Sequence, residues 1–108
     1  MNTLETVGKS VSQILNEAAD LIERTGWCQG HYALTSDGKS VGAKDVGAAC
    51  FCCIGAIKAV SPTFKDSRDA ADVMVAKVGM IHVWNDQPGR TAEEVLESLR
   101  DAAKEAAK

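Results

Sequence analysis

The sequence predicts a mainly α fold: one helical domain over residues 1–108, with four helices and a short β-hairpin or ordered loop between helices 1 and 2. Three observations carry that prediction. Apolar residues recur at spacings of three and four near both ends, at Leu4, Val7, Val11, Ile14, Leu15, Ala18 and Ile22, and again at Val95, Leu96, Leu99, Ala102, Ala103 and Ala106. Residues 46–60 are apolar on nearly every side, with Lys58 the only charge, as a helix enclosed by others would be. Asp37-Gly38 is a turn signal in a stretch with no helical period.

The first helix is expected over 3–24, with Lys9, Gln13, Glu17, Asp20 and Glu23 on its solvated face and Gly26 as its stop. Residues 31–42 read as the hairpin or loop; two strands alone are marginal in water and must lean on the helices. The central helix, 46–60, has Asp45 as its expected N-cap, and Ala48, Ala49, Gly55 and Ala56 would let neighbours approach closely. Ser61-Pro62 breaks it, with Pro62 in the first turn of a third helix over 63–77 that turns Ala70, Val73, Met74 and Val78 inward and ends at Gly79. Residues 80–84 are too few to separate strand from helix by period. Asn85-Asp86-Gln87-Pro88-Gly89 is a loop of turn formers, and Thr91-Ala92-Glu93-Glu94 is a capping box opening the last helix.

Composition narrows the function. Of 108 residues, 25% are charged and 45% hydrophobic, and the net charge is −3. Lysines and arginines are scattered among acids, without the basic stripe of a nucleic-acid binder. No apolar run reaches the roughly 18–20 residues that span a bilayer, and residues 1–13 lack the apolar block of a secretion signal. The expected location is therefore cytoplasmic, without nucleic-acid or membrane partners. The four cysteines, Cys28, Cys50, Cys52 and Cys53, fit no ordinary disulfide framework, and a reducing cytosol would keep them as free thiols.

Three constellations can carry chemistry. In the first, Cys50, Cys52 and Cys53 sit near the start of the central helix, where a helix N-terminus favours a thiolate. Cys52 would be the nucleophile, His82 or His31 the base, Asn85 or Asp86 the residue orienting the imidazole and Gln29 an oxyanion donor. In the second, Cys28, His31, Cys50 and Cys53 supply ligands for tetrahedral zinc, with Cys50 and Cys53 sharing a helix face at a spacing of three. The plainer reading of both is that cysteines in a crowded apolar helix are packing residues, so no cofactor is expected. In the third, Trp27, Tyr32, Trp84, Asp86 and Arg90, residue types common at binding surfaces, lie in the loops. Caps and turns explain most of the 84–91 segment, but not Arg90.

Trp27-x-Gln29-Gly30, Cys52-x-x-Gly55-Ala56 and Trp84-Asn85-Asp86-x-Pro88-Gly89-Arg90-Thr91-x-x-Glu94-Val95 together resemble a family of small uncharacterised bacterial and bacteriophage proteins, a domain of unknown function. The resemblance spans about residues 14–103. It implies a small cytosolic protein encoded by a bacterium or a phage, and supplies no reaction, cofactor or catalytic residue. The expectation is then a non-enzymatic binding protein with a protein partner, a modulator of a host protein if phage-encoded. The alternatives are a thiol- or zinc-dependent activity centred on Cys50, Cys52 and Cys53, and a self-associating module.

Overall fold

Helix α1, Val11–Thr25, starts where the Ser10 hydroxyl accepts from the Gln13 N–H at 3.0 Å, in a computed structural model that describes residues 8–108. The helix was expected to begin earlier. Gly8 and Lys9 are not helical, and the expected apolar positions Leu4 and Val7 lie outside the described residues. Its buried face is Ile14, Leu15, Ala18, Ala19 and Ile22, the stripe that the spacing predicts.

The chain then turns at Gly26 and forms a small antiparallel sheet. Strands β1 (Ala33–Thr35), β2 (Ser40–Val41) and β3 (Ala48–Phe51) lie in the order β2-β1-β3. Trp27 adds a parallel bridge to Phe51, with Phe51 N–H donating to the Gly26 carbonyl and Cys28 N–H to the Phe51 carbonyl. The hairpin of β1 and β2 is where the turn signal places it.

The single helix expected over 46–60 is a strand at 48–51 and a helix only from Cys53 on, and the sheet has a third strand that was not expected. Ala33 pairs with Phe51 and Leu34 with Cys50, so Phe51 turns into the core while Cys50 faces the other way. The two-stranded hairpin gains its support from this third strand. Asp45 caps no helix; its carboxylate accepts from the Gly47 N–H at 2.7 Å in the turn before β3. Helix α2, Cys53–Val60, is separated from β3 only by its cap, Cys52, whose sulfur accepts from the Gly55 N–H at 3.2 Å.

α2 has eight residues, and its last carbonyls are met from outside the helix. Lys44 Nζ donates to the Ala59 and Ser61 carbonyls at 3.2 and 2.9 Å, Lys9 Nζ to the Val60 carbonyl at 2.9 Å, and the Ser61 hydroxyl to the Ile57 carbonyl at 2.6 Å. Helix α3, Phe64–Val78, is capped by Thr63 and stopped by Gly79; Pro62 precedes the cap rather than sitting in the first turn. The undecided 80–84 segment becomes helix α4, Ile81–Asn85. Helix α5, Ala92–Ala106, carries the capping box in full: the Thr91 hydroxyl accepts from Glu94 N–H and the Glu94 carboxylate from Thr91 N–H.

Among the described residues the architecture is thus five helices, where four were expected, around one apolar cluster, with the sheet at one side. α1 and α5 press their stripes together, joined at the surface by Arg100 donating to Asp20 and Glu23, both at 2.9 Å. Cys53, Ala56 and Ile57 of α2 and Ala70 and Met74 of α3 complete the core. Among the described residues no helix is long and apolar enough to cross a membrane.

The capping box yields a measurable consequence. Thr91→Ala leaves one N–H of the α5 first turn to water and should lower the unfolding free energy by about 1 kcal/mol, read from urea denaturation with an unchanged m-value.

Candidate functional site

The two loop motifs are brought together by one buried amide. Asn85, the last residue of α4, is 0% exposed. Its Oδ1 accepts from Trp27 Nε1–H at 2.7 Å and from the Cys53 N–H at 3.0 Å. Its Nδ2 donates to the Cys28 carbonyl at 3.2 Å and to Asp86 Oδ1 at 2.9 Å. Both lone pairs and both hydrogens are used. The Cys53 N–H belongs to the first turn of α2, which has no partner inside that helix, so Asn85 also anchors α4 to the start of α2.

Neighbouring residues extend this join. Gln29 Nε2 donates to the Asn85 and Gln87 carbonyls at 3.0 and 3.1 Å, and the Gly30 N–H donates to Asp86 Oδ1 at 2.9 Å. Arg90, which caps and turns leave unexplained, lies with its guanidinium carbon 4.4 Å from the centre of the Trp84 ring. It donates to the Trp84 carbonyl at 2.9 Å and to the Gln87 side chain at 2.8 Å, and reaches Glu94 at 3.4 Å. The Thr91 N–H and then Arg90 hold the Glu94 carboxyl below its ordinary pKa.

Beside this join lies a cleft of about 630 Å³. One wall is the Gly30-His31-Tyr32 segment with Ser40; the other is Ala71 and Val75 of α3 with Met80, Ile81 and His82 at α4. Cys52, Ile54 and Asp86 also line it. The Tyr32 wall is fixed against α2, where Cys52 N–H donates to the Tyr32 carbonyl at 3.1 Å. A Cβ at Gly55 would fall 2.0 Å from that same oxygen, so only glycine allows this approach. Lys58, from the next turn of α2, sits 5.5 Å from the Tyr32 ring centre.

Three of the sulfurs are held as thiols. Burial, then the neighbouring Cys50, pushes the Cys28 pKa up to about 12. Burial also raises Cys53, which is 0% exposed in the core. Cys52 is raised by burial despite the opposing hydrogen bond from Gly55.

The structure sorts the sequence-derived candidates. Of the nucleophilic set, Cys52 and His82 line the same cleft, and so does His31. Asn85 cannot orient an imidazole, because all its hydrogen-bonding positions are taken. Gln29 spends both amide hydrogens on backbone carbonyls and is no oxyanion donor. The zinc set Cys28, His31, Cys50 and Cys53 does not assemble: Cys50 is in β3, Cys53 is in the core, and the pair does not share a helix face. Cys28 Sγ meets the His31 carbonyl at 3.8 Å rather than its ring. Among the described residues, no group of three or more His, Cys, Asp or Glu side chains is placed to hold a metal ion.

Of the five residues expected to bind, Trp27, Trp84, Asp86 and Arg90 are engaged with other residues of the chain, and Tyr32 is left half exposed at the cleft. Sequence reasoning missed Ile54, Val75, Met80 and Ile81 as lining residues. Ile54 reads as part of an enclosed helix, Val75 falls outside the inward stripe of its helix and residues 80–84 show no decisive period, so only the opening between the Gly30–Tyr32 segment and helices α3 and α4 brings the four together.

The sequence profile of a family of unknown function, DUF6197, matches residues 6–105. The chain belongs to this family. No curated protein and no solved structure matches it. The match to DUF6197 covers both loop motifs and every residue of the join.

Two measurements test this reading. Asn85→Ala strands the Trp27 indole N–H, the Cys53 N–H and the Cys28 carbonyl; at about 1–3 kcal/mol for each unsatisfied buried group, the loss should be on the order of 3 kcal/mol or more. Chemical denaturation followed by tryptophan fluorescence reads it. The second measurement uses pH. An unfolded thiol ionises near 9.0, whereas Cys28 in the fold ionises near 12 and Cys52 and Cys53 are also raised. Their contribution to stability is complete below pH 9 and declines as pH rises from there, because the unfolded chain releases its protons first. The thermal midpoint should fall between pH 9 and 11, and Cys53→Ala should show a shallower fall.

Proposed function

We propose that this protein is a non-enzymatic binding module whose site is the cleft between the Gly30–Tyr32 wall and helices α3 and α4. One observation carries the reading. Of the six large apolar side chains left exposed among the described residues, three line this one cleft: Tyr32 at 50%, Val75 at 47% and Met80 at 66%. Contiguous apolar exposure rimmed by polar groups marks a surface that meets a partner. His31, His82 and Asp86 are those polar groups.

The occupant that fits is a protein segment. Its apolar side chain enters between Val75 and Met80, while its backbone or a polar neighbour meets the histidines and Asp86. Residues Trp27, Trp84 and Arg90 serve by holding the wall that carries Tyr32. The protein acts in the cytoplasm, where its thiols stay reduced. In a phage genome the partner would be a host protein.

A thiol-dependent activity at Cys52 is the second reading, supported by the presence of His31 and His82 in the same cleft. The state of the sulfur weighs against it. Cys52 caps α2, and burial keeps it protonated at neutral pH.

Val75→Glu and Met80→Glu place a charge on the cleft without touching the core. Both variants should keep the wild-type thermal midpoint within a few degrees and lose the proteins captured by the wild-type chain from a native lysate by at least about tenfold, which is roughly 1.4 kcal/mol. Undiminished capture by both variants would remove the cleft as the site. Light scattering across a concentration series shows whether a second copy of the chain is the partner. Alkylation of Cys52 by iodoacetamide at neutral pH, as fast as a free thiol, would favour the second reading.

A further inference from the structure

The bridge between Trp27 and Phe51 puts three cysteines on one face. In a parallel pair, residues beside a bridge point to the side opposite the bridged residues. Trp27 and Phe51 turn toward the core, so Gly26 and Cys28 on one segment and Cys50 and Cys52 on the other turn away from it. The pairing of Leu34 with Cys50 across β1 agrees with this. A Cβ at Gly26 would lie 3.3 Å from Cys50 Cβ, which locates Cys50 on the Gly26 flank. Across the bridge Cys50 lies beside Gly26 and Cys28 beside Cys52; with no side chain at position 26, the Cys50 thiol reaches diagonally to that of Cys28, with which it shares a hydrogen bond.

The three sulfurs differ in what else they do. Cys52 is turned to the Gly55 N–H as the cap of α2 and is 4% exposed. Cys28 is 9% exposed, and its Sγ meets the His31 carbonyl at a long distance and the Cys50 thiol. Cys50 is half-buried and is the sulfur of the three that solvent reaches best.

We infer that Cys28 and Cys50 are an oxidisable pair, which a peroxide closes to an intramolecular disulfide. The peroxide reaches Cys50 first. Its sulfur displaces one oxygen, giving a sulfenic acid on Cys50 and releasing water from hydrogen peroxide or an alcohol from an organic peroxide. The Cys28 sulfur then attacks the Cys50 sulfur. The S–O bond breaks, the S–S bond forms, and the Cys28 proton leaves with the hydroxyl group as a second water. Two thiols are oxidised and one peroxide is reduced. The bond ties the segment entering the Gly30–Tyr32 wall to β3, at the point where the Cys28 carbonyl also accepts from Asn85. This inference does not depend on what occupies the cleft.

The test is stoichiometric hydrogen peroxide on the folded protein, followed by alkylation of remaining thiols, digestion and mass spectrometry of the linked peptides. Wild type should lose two hydrogens, form no bond between chains, leave Cys52 and Cys53 alkylatable after unfolding, and show a higher thermal midpoint that dithiothreitol returns to the starting value. Cys28→Ser and Cys50→Ser should each abolish the intramolecular bond, and Cys50→Ser should also suppress sulfenic acid trapping by dimedone. Cys52→Ser retains a good helix cap and should crosslink as wild type does. A bond that survives Cys50→Ser and vanishes in Cys52→Ser would overturn the assignment. So would intermolecular disulfides alone, or over-oxidation of Cys50 with Cys28 still free.

Discussion

The fold turns on the carboxamide of Asn85. A buried amide with open hydrogen-bonding positions is costly, so an arrangement that fills all four is strongly preferred over its neighbours. Filling them here requires the Trp27 indole, the Cys28 carbonyl, the start of α2 and the Asp86 carboxylate to converge on one point. Those groups come from segments separated by up to 58 residues. Apolar stripes on α1 and α5 bring the helices together, but such packing tolerates small slides and rotations. A directional network of this kind does not.

That network explains why the aromatic and charged loop residues serve one another more than they serve solvent. Trp84 lies under the Arg90 guanidinium, Arg90 closes the turn onto the Trp84 carbonyl, and Gln29 clasps the same loop from the other side. The consequence for function is a displacement. Residue types that look like a recognition surface build a support, and the accessible apolar surface lies next to it, on Tyr32, Val75 and Met80. Gly55 contributes by allowing α2 to reach the Tyr32 backbone, which fixes one wall of the cleft.

The cysteines show how neighbours in sequence acquire unrelated tasks. Cys50 points out from a strand, Cys52 caps a helix and Cys53 is core, although only three positions separate the first from the last. The change from a period of two to a period of 3.6 falls within this stretch. One helix drawn through all of them puts Cys50 and Cys53 on a common face; the strand-to-helix change separates them. Apolar content alone is compatible with either form, and the deciding factor is the open edge of β1, which needs a partner for its backbone.

Local chemistry by itself determined the helices at either end, the hairpin turn, the stop at Gly79 and the capping box at Thr91, because each depends on residues within a few positions of one another. The same holds for the glycine and aspartate punctuation of the loops. Only the tertiary structure decided that residues 48–51 are a strand, that Asn85 is a buried hub rather than a catalytic orienter, that Arg90 stacks on Trp84, and that Val75 and Met80 border an opening. Each of those outcomes depends on a partner far away in the chain. A backbone group or an amide takes the partner that the whole fold delivers, and no local pattern encodes which one that will be.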